Sequence, residues 1–260
     1  MSGDMYEHFS HDERDFVDKA NDWVERASKV HDMKLTDFLD PRQVFILQSL
    51  VNRSQDVQVR FDGGYEAAER KRALIAPDYR YLDEEDMGMQ VLSITSDDQK
   101  ISELEHGDYM GSLLGLGMKR GKIGDIQVLE DGCHTVVAAE TGAFLSLQLN
   151  QVHRLHVFTE LLPLNQMKWS ATKLDTIDIT VASMRLDGIC ADVHRLSRSK
   201  ILIPIKAGRC KVNWKVVEDP SKPLKAGDVV SIQGFGRFKV LEQEGMTKKG
   251  RCRVKIGKFA

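Results

Sequence analysis

Along residues 10–31, SHDERDFVDKANDWVERASKVH, the apolar positions Phe16, Ala20, Trp23, Val24, Ala27 and Val30 recur at helical spacing, which predicts an amphipathic helix. Ser10 followed by Glu13 matches a capping box at its start. Asp40 before Pro41 gives an N-cap and a first-turn proline, so a second helix is expected from Pro41 through Val51. The period then changes to two. Val57, Val59 and Phe61 alternate with polar residues, and Gly63-Gly64 ends that strand. The stretch YEAAERKRALIAP (65–77) reads as helix passing into strand, and DEEDMG (83–88) as an acidic linker.

From residue 89 the rhythm is different. MQVLSIT (89–95) is strand-like, an apolar helical stretch surrounds Tyr109–Leu116, and IQVLE (126–130) and HTVVAAE (134–140) flank the hairpin turn Asp131-Gly132. AFLSLQLNQV (143–152) fits a helix entered from Thr141-Gly142, and RLHVFTEL (154–161) a closing strand. The order βαββαβ is the ferredoxin-like split pattern. RNA-recognition modules of that order exist, but these strands lack the aromatic cluster on which the commonest one stacks bases. Any RNA contact by this segment is therefore made differently, or not at all.

TIDITVAS (176–183) alternates cleanly and leads into the last segment. There Leu186, Ile189, Cys190 and Val193 share one helical face. Ser197 suits the N-cap of a following helix and Gly208 its C-terminal end. Cys210, Val212 and Trp214 alternate with Lys211, Asn213 and Lys215, giving a strand with one basic, polar face. Lys225-Ala226-Gly227-Asp228 turns into VVSI (229–232), and RFKVLE (237–242) and RCRVKIG (251–257) supply two more strands. The expected class is α+β in three parts: an acidic helical segment over 1–82, the ferredoxin-like domain over 88–165, and a basic domain over 183–260.

Composition adds little until it is divided. The chain has 260 residues, 42% hydrophobic and 29% charged, enough for about two domain cores. No run reaches the roughly 18 apolar residues of a membrane span. The start, MSGDMYEHFSHDERDF, has neither the basic opening nor the apolar run of a signal peptide, so a cytoplasmic protein is expected. Cys133, Cys190, Cys210 and Cys252 are far apart and form no CxxC pair, which favours small buried thiols over a zinc site or disulfides. The formal net charge of −2 conceals a split. Residues 183–260 hold 18 Lys and Arg against 7 Asp and Glu, a net of +11, which leaves −13 for residues 1–182. Basic charge at that density is the footprint of phosphate binding. The acidic part could meet a protein or restrain non-specific RNA binding.

Arg198 and Lys200 fall in the first turn of the helix that Ser197 caps, where they oppose its dipole. Cations there are easier to understand as phosphate contacts, and the helix-start amides would accept the same phosphate. Taken together, Arg185-Leu186-Asp187, SRSK (197–200), IKAGRCKVN (205–213) and KAGDVVSI (225–232) resemble, in order and gaps, the signature of the S4 RNA-binding domain. That resemblance implies a short helix pair packed on a small sheet and gripping structured RNA. It implies contacts from Arg185, Ser197, Arg198, Lys200, Lys206, Arg209, Lys211 and Asn213, with Ser199 and Lys215 beside them. Two departures stand out: Trp214 occupies a place where glycine is common, and Pro204 should kink or shorten the second helix. With DYMGSLLGLGMKRGKIGDI (108–126) ahead of the S4 signature, nearly the whole chain resembles the bacterial YlmH-type S4 proteins. The resemblance implies ribosomal RNA of the large subunit as partner, with tRNA on stalled, peptidyl-tRNA-bound subunits. It also implies a link to cell-division gene clusters.

Other readings are weaker. Gly115, Gly117 and Gly121 have the wrong spacing and setting for a dinucleotide fingerprint. Lys119, Arg120 and Lys122 in the same stretch could touch RNA or form a solvated basic loop. His153 and His156 lack a supporting carboxylate pattern for metal. Arg185-Leu186-Asp187 does not complete an enzyme motif: pseudouridine synthases carry a similar triplet, but in a separate catalytic domain, and Asp187 here lies inside the S4 signature. A structural hydrogen bond or ion pair is the expectation for it. Trp214 either stacks on RNA or covers the core, burial being favoured. The expectation is a non-catalytic RNA-binding protein without cofactor, metal or small-molecule substrate. An RNA-modifying enzyme targeted by the S4 domain and a cell-division adaptor are the alternatives.

Overall fold

The computed structural model describes residues 9, 11–169, 174–247 and 250–259, so the proposed cap Ser10 lies outside the described residues. The chain divides into two compact units, 1–170 and 171–260.

The first unit has four layers. A short 3-10 turn leads into α1 (Arg14–Lys29), then β1 (Lys34–Leu35), α2 (Pro41–Val51), β2 (Val57–Asp62) and β3 (Arg72–Pro77), with sheet order β1-β3-β2. The Asp40 carboxylate accepts from Gln43 N at 2.9 Å, and the Gln43 side chain accepts from Asp40 N at 3.0 Å, the expected N-cap closed into a box. Ala73 and Ile75 of β3 pack on α1 and α2, while Leu74 and Ala76 point the other way. Every residue of β3 is thus buried, which is why RALIAP shows no alternation.

Behind β3 lies the central sheet. It comprises β4 (Met89–Thr95), β5 (Ile123–Leu129), β6 (Gly132–Ala138) and β9 (Phe158–Leu162), with α3 (His106–Gly115) and α4 (Ala139–Gln148) as crossovers. A two-strand hairpin, β7 (Gln151–Val152) and β8 (Leu155–His156), precedes β9. Sheet order β5-β6-β4-β9, antiparallel throughout, is the ferredoxin-like arrangement. Leu92, Ile94, Val137 and Leu145 form the core beneath α3 and α4. Met89, Val136 and Ala138 meet Phe38, Leu74 and Ala76 on the opposite face. The face that an aromatic-lined module would offer to bases is covered here by the N-terminal sheet.

Three expectations in this unit are corrected. No helix forms over 65–71. Asp125 on β5 accepts from Glu69 N at 2.7 Å, Arg70 N at 3.1 Å and Tyr65 Oη at 2.9 Å, so a distant carboxylate satisfies amides that a helix would have paired locally. The helix expected over 143–152 starts four residues earlier, at Ala139, and its last residues open into β7, where Val157 N donates to Asn150 O. Val30, placed on the apolar face of α1, is the C-cap residue and 62% exposed.

The second unit contains β10 (Leu174–Val181), α5 (Leu186–Val193), α6 (Arg198–Lys206), β11 (Cys210–Val212), β12 (Lys215–Val216), β13 (Val229–Ile232), β14 (Gly236–Met246) and β15 (Cys252–Phe259). Its sheet runs β10-β15-β14-β13-β11-β12, all neighbours antiparallel. Leu186, Ile189, Ile201 and Ile205 pack on Phe238, Val240, Val254 and Ile256 in one core. The helical period of 186–193 and the strand alternation of 252–256 thus converge on one apolar layer. All four cysteines are buried, as expected. Pro204 neither shortens nor ends α6, which continues to Lys206; Gly208, at φ +69°, then turns the chain where a side chain would be strained.

Candidate nucleic-acid interface

Arg185 is the N-cap residue of α5, and Leu186 N and Asp187 N donate to the carbonyls of Lys222 and Pro220 at 2.9 and 3.0 Å. The start of α5 is therefore closed by the chain itself. Asp187 is buried, accepts from Gly188 N at 2.9 Å, and pairs with Arg185 Nε at 3.1 Å. That is the structural ion pair expected from the sequence. It leaves this carboxylate packed inside the fold.

The start of α6 is open. Ser197 caps it, its Oγ accepting from Lys200 N at 3.4 Å and lying 3.0 Å from Ser199 Oγ. The amides of Arg198 and Ser199 keep no partner among the described residues, as the first amides of a helix do. Ser197, Arg198, Ser199 and Lys200 are all exposed. Arg198 also reaches α5: its Nη2 lies 3.3 Å from where a Cβ on Gly188 would stand, so Gly188 makes room for the guanidinium. Lys206 sits roughly 12 Å along the axis from the first turn, at the other end of α6. Arg209 follows the Gly208 turn, with its carbonyl held by Gln233 N at 3.0 Å. Lys211 projects from β11 opposite Ser231, away from buried Cys210 and Val212.

Arg198, Lys200, Lys206, Arg209 and Lys211 are exposed, and none of them, nor half-buried Lys215, forms an ion pair among the described residues. A helix that starts with two cations and two open amides repels like charge and invites an anion. Arg195, in the α5–α6 turn at φ +52°, is another exposed cation of this face. It lies outside the S4 signature, so nothing in the sequence pattern singles it out.

The β11–β12 turn departs from expectation. Asn213 and Trp214 have φ of +51° and +65°, the positive pair of a tight hairpin turn, so Trp214 leaves the strand rather than alternating along it. Glycine would occupy this position without strain. Trp214 is half-buried rather than core, with Arg237 over its ring at 5.6 Å. The Asn213 side chain is used internally: it donates to Asp228 Oδ1 at 2.9 Å and accepts from Val229 N at 2.9 Å. Asp228, buried, also accepts from Lys225 N at 2.9 Å, which explains why the turn 225–228 ends in an acid.

In the first unit, Lys119 is exposed, while Arg120 and Lys122 are engaged. Lys122 pairs with Asp37 at 2.7 Å and Glu140 at 2.8 Å, and both carboxylates raise its pKa. Arg120 donates to the carbonyls of Ile123 and Gly124. His153 lies in the β7–β8 turn and His156 against the Phe158 ring. Among the described residues no helix is long and apolar enough to cross a membrane.

Three family models match the chain in order: one for the YlmH N-terminal region over 12–80, one described as "Putative RNA-binding domain in YlmH" over 83–166, and the S4 domain over 184–230. The chain is 42% identical over 251 residues to the "Ribosome-associated protein quality control protein P2" of Bacillus subtilis strain 168, covering 96% of this chain and 97% of that one. A solved structure, the "Cell division protein ylmH from Streptococcus pneumoniae", matches 64% of this chain and 99% of its own with a TM-score of 0.54 at 24% identity, a likeness of fold. With four-tenths identity along almost its whole length and each segment matched in sequence order, the chain belongs to the YlmH family of S4-domain proteins.

Proposed function

We propose that this protein is a non-catalytic RNA-binding factor that docks on ribosomal RNA of the large subunit, next to a bound peptidyl-tRNA, through the open start of α6. The observation that carries the reading is the set of exposed cations on α6 and β11 that no carboxylate neutralises among the described residues. Phosphate contacts of this kind position an RNA and read its shape rather than its bases. The name of the Bacillus subtilis relative supports the ribosome as the setting. Arg185, Arg198, Ser199 and Lys200 form one end of the contact, and Lys206, Arg209, Lys211 and Lys215 the other. Asn213 belongs to the fold that supports them. Lys119 is the fully exposed cation of the 119–122 loop. The Asp187 pairing supports binding over nucleotide chemistry at that residue.

Filter binding of purified large subunits by the Arg198→Glu, Lys200→Glu variant tests this. The affinity should fall at every salt concentration, and the slope of log K against log salt should flatten by about 0.7–0.9 for each phosphate no longer neutralised. An unchanged affinity and slope would refute the assignment.

A further inference from the structure

In the first unit a cleft of about 390 Å³ opens between α1, β1 and the turn ahead of β5. Two half-buried guanidinium groups, Arg70 and Arg120, line it. Arg70 donates Nε to Ile123 O at 3.1 Å and Nη2 to Phe38 O at 2.8 Å. Arg120 donates Nη1 to the same Ile123 carbonyl and to Gly124 O at 3.2 Å. The shared carbonyl sets two like charges side by side. Burial, with Arg70 adding to it, pushes Arg120 down to about 10. Gly121 fixes this arrangement: its carbonyl accepts from Phe38 N at 2.7 Å, and a Cβ there would come within 3.1 Å of Asp37 Cβ.

Neither arginine forms an ion pair among the described residues, because the nearby acids are engaged elsewhere. Asp37 holds Lys122, Asp40 caps α2, and Asp125 accepts from Tyr65, Glu69 and Arg70 N. Arg70 Nη1 and Arg120 Nε and Nη2 are left without hydrogen-bond partners among the described residues. Exposed Lys19 and Lys34 line the same cleft, so its four cations outnumber the two carboxylates of its lining, Asp37 and Asp40. Asp40 and Asp125 favour the charge of both guanidiniums from a distance, but burial outweighs them. Partly dehydrated cations with no direct ion pair are costly to hold, and an anion that takes several of their N–H groups offsets that cost. Several convergent donors suit the tetrahedral oxygens of phosphate. We propose that this cleft binds a phosphate group, supplied by an RNA backbone or by a free phosphate-bearing molecule. Different residues from those of the α6 face carry this site, so either assignment can fail without the other.

Isothermal titration of the full-length protein with inorganic phosphate and with pyrophosphate tests it. Saturable binding is expected, weakened about tenfold or more by Arg120→Gln, which removes one or two charge-assisted hydrogen bonds to the anion. Lys34→Glu, on the exposed rim, should weaken it several-fold with the melting temperature unchanged, and carries the test if Arg120→Gln does not fold. Competition in the Arg198→Glu, Lys200→Glu background separates the sources. A short single-stranded oligoribonucleotide that displaces pyrophosphate supports the site as one for RNA backbone. One that does not supports a free phosphate compound. No saturable heat up to about 10 mM pyrophosphate, the millimolar limit of useful affinity, would overturn the proposal. So would equal binding by Lys34→Glu and the unaltered protein.

Discussion

In the first unit Arg26, Arg42, Arg60, Arg72 and Lys122 each reach a carboxylate at 2.6–3.6 Å, whereas Arg198, Lys200, Lys206, Arg209 and Lys211 in the second reach none among the described residues. Both units carry many cations, 18 in residues 1–170 and 19 in residues 171–260, so number does not distinguish them. What differs between these two sets is whether folding supplies the counter-ion. Arg70 and Arg120 of the first unit, which bond only carbonyls among the described residues, and Arg185 and Lys255 of the second, which pair with Asp187 and Glu244, run the other way. A paired surface cation contributes little to stability and little to an outside partner. An unpaired cation at a helix start has an unfavourable place in the isolated fold and a favourable one beside phosphate.

The largest break in that comparison should come from moving equal charge in each unit. Lys206→Glu with Arg209→Glu should weaken binding to structured RNA by about a hundredfold at low salt, at roughly tenfold for each charged hydrogen bond removed. Arg26→Glu with Lys29→Glu should change it by less than about threefold in the same filter assay. Next in size is stability. Arg42→Met removes a partner of Glu13, which lies 2.6 Å away and is buried, and should cost about 3 kcal/mol in urea unfolding, with RNA affinity retained. Asp228→Ala should cost about 2 kcal/mol in the second unit, because Asn213 and Lys225 N lose their acceptor.

The smallest effect is in pH. Burial, reinforced by Lys258, lowers the His194 pKa below its usual 6.5. The folded state then holds the neutral ring, so its stabilising effect is present above about pH 6.5 and is lost as pH falls toward the lowered folded value. His194→Gln should flatten the acid side of the stability curve of the second unit. His134→Gln is its counterpart in the first, where Lys168 N donates to Nδ1 at 3.1 Å and burial again lowers the pKa.

Elements with one periodic apolar face were legible from the sequence. α1, α2, α5, α6 and the order of the central sheet follow from spacing, caps and turns, because each uses residues within a few positions of one another. The residues 65–71 were not, because their amides are satisfied by Asp125, some 55 positions away. The turn at Trp214 was hidden by an apparent alternation that a large residue at positive φ does not support. For the proposed interface, the motif order marked α6, whose start the fold leaves open, but pairing is a tertiary property. Lys119, Arg120 and Lys122 have equal standing in the sequence, and only the fold ties Lys122 to Asp37 and Arg120 to two carbonyls.

Whether RNA is held on the α5–α6–β11 face is tested most directly by ultraviolet crosslinking of the full-length protein in cells, followed by mass spectrometry of nucleotide-bearing peptides. Adducts on residues 185–215, with the attached RNA mapping to the ribosome, are the predicted result. Adducts confined to residues 1–166, with none on 185–215, would contradict it.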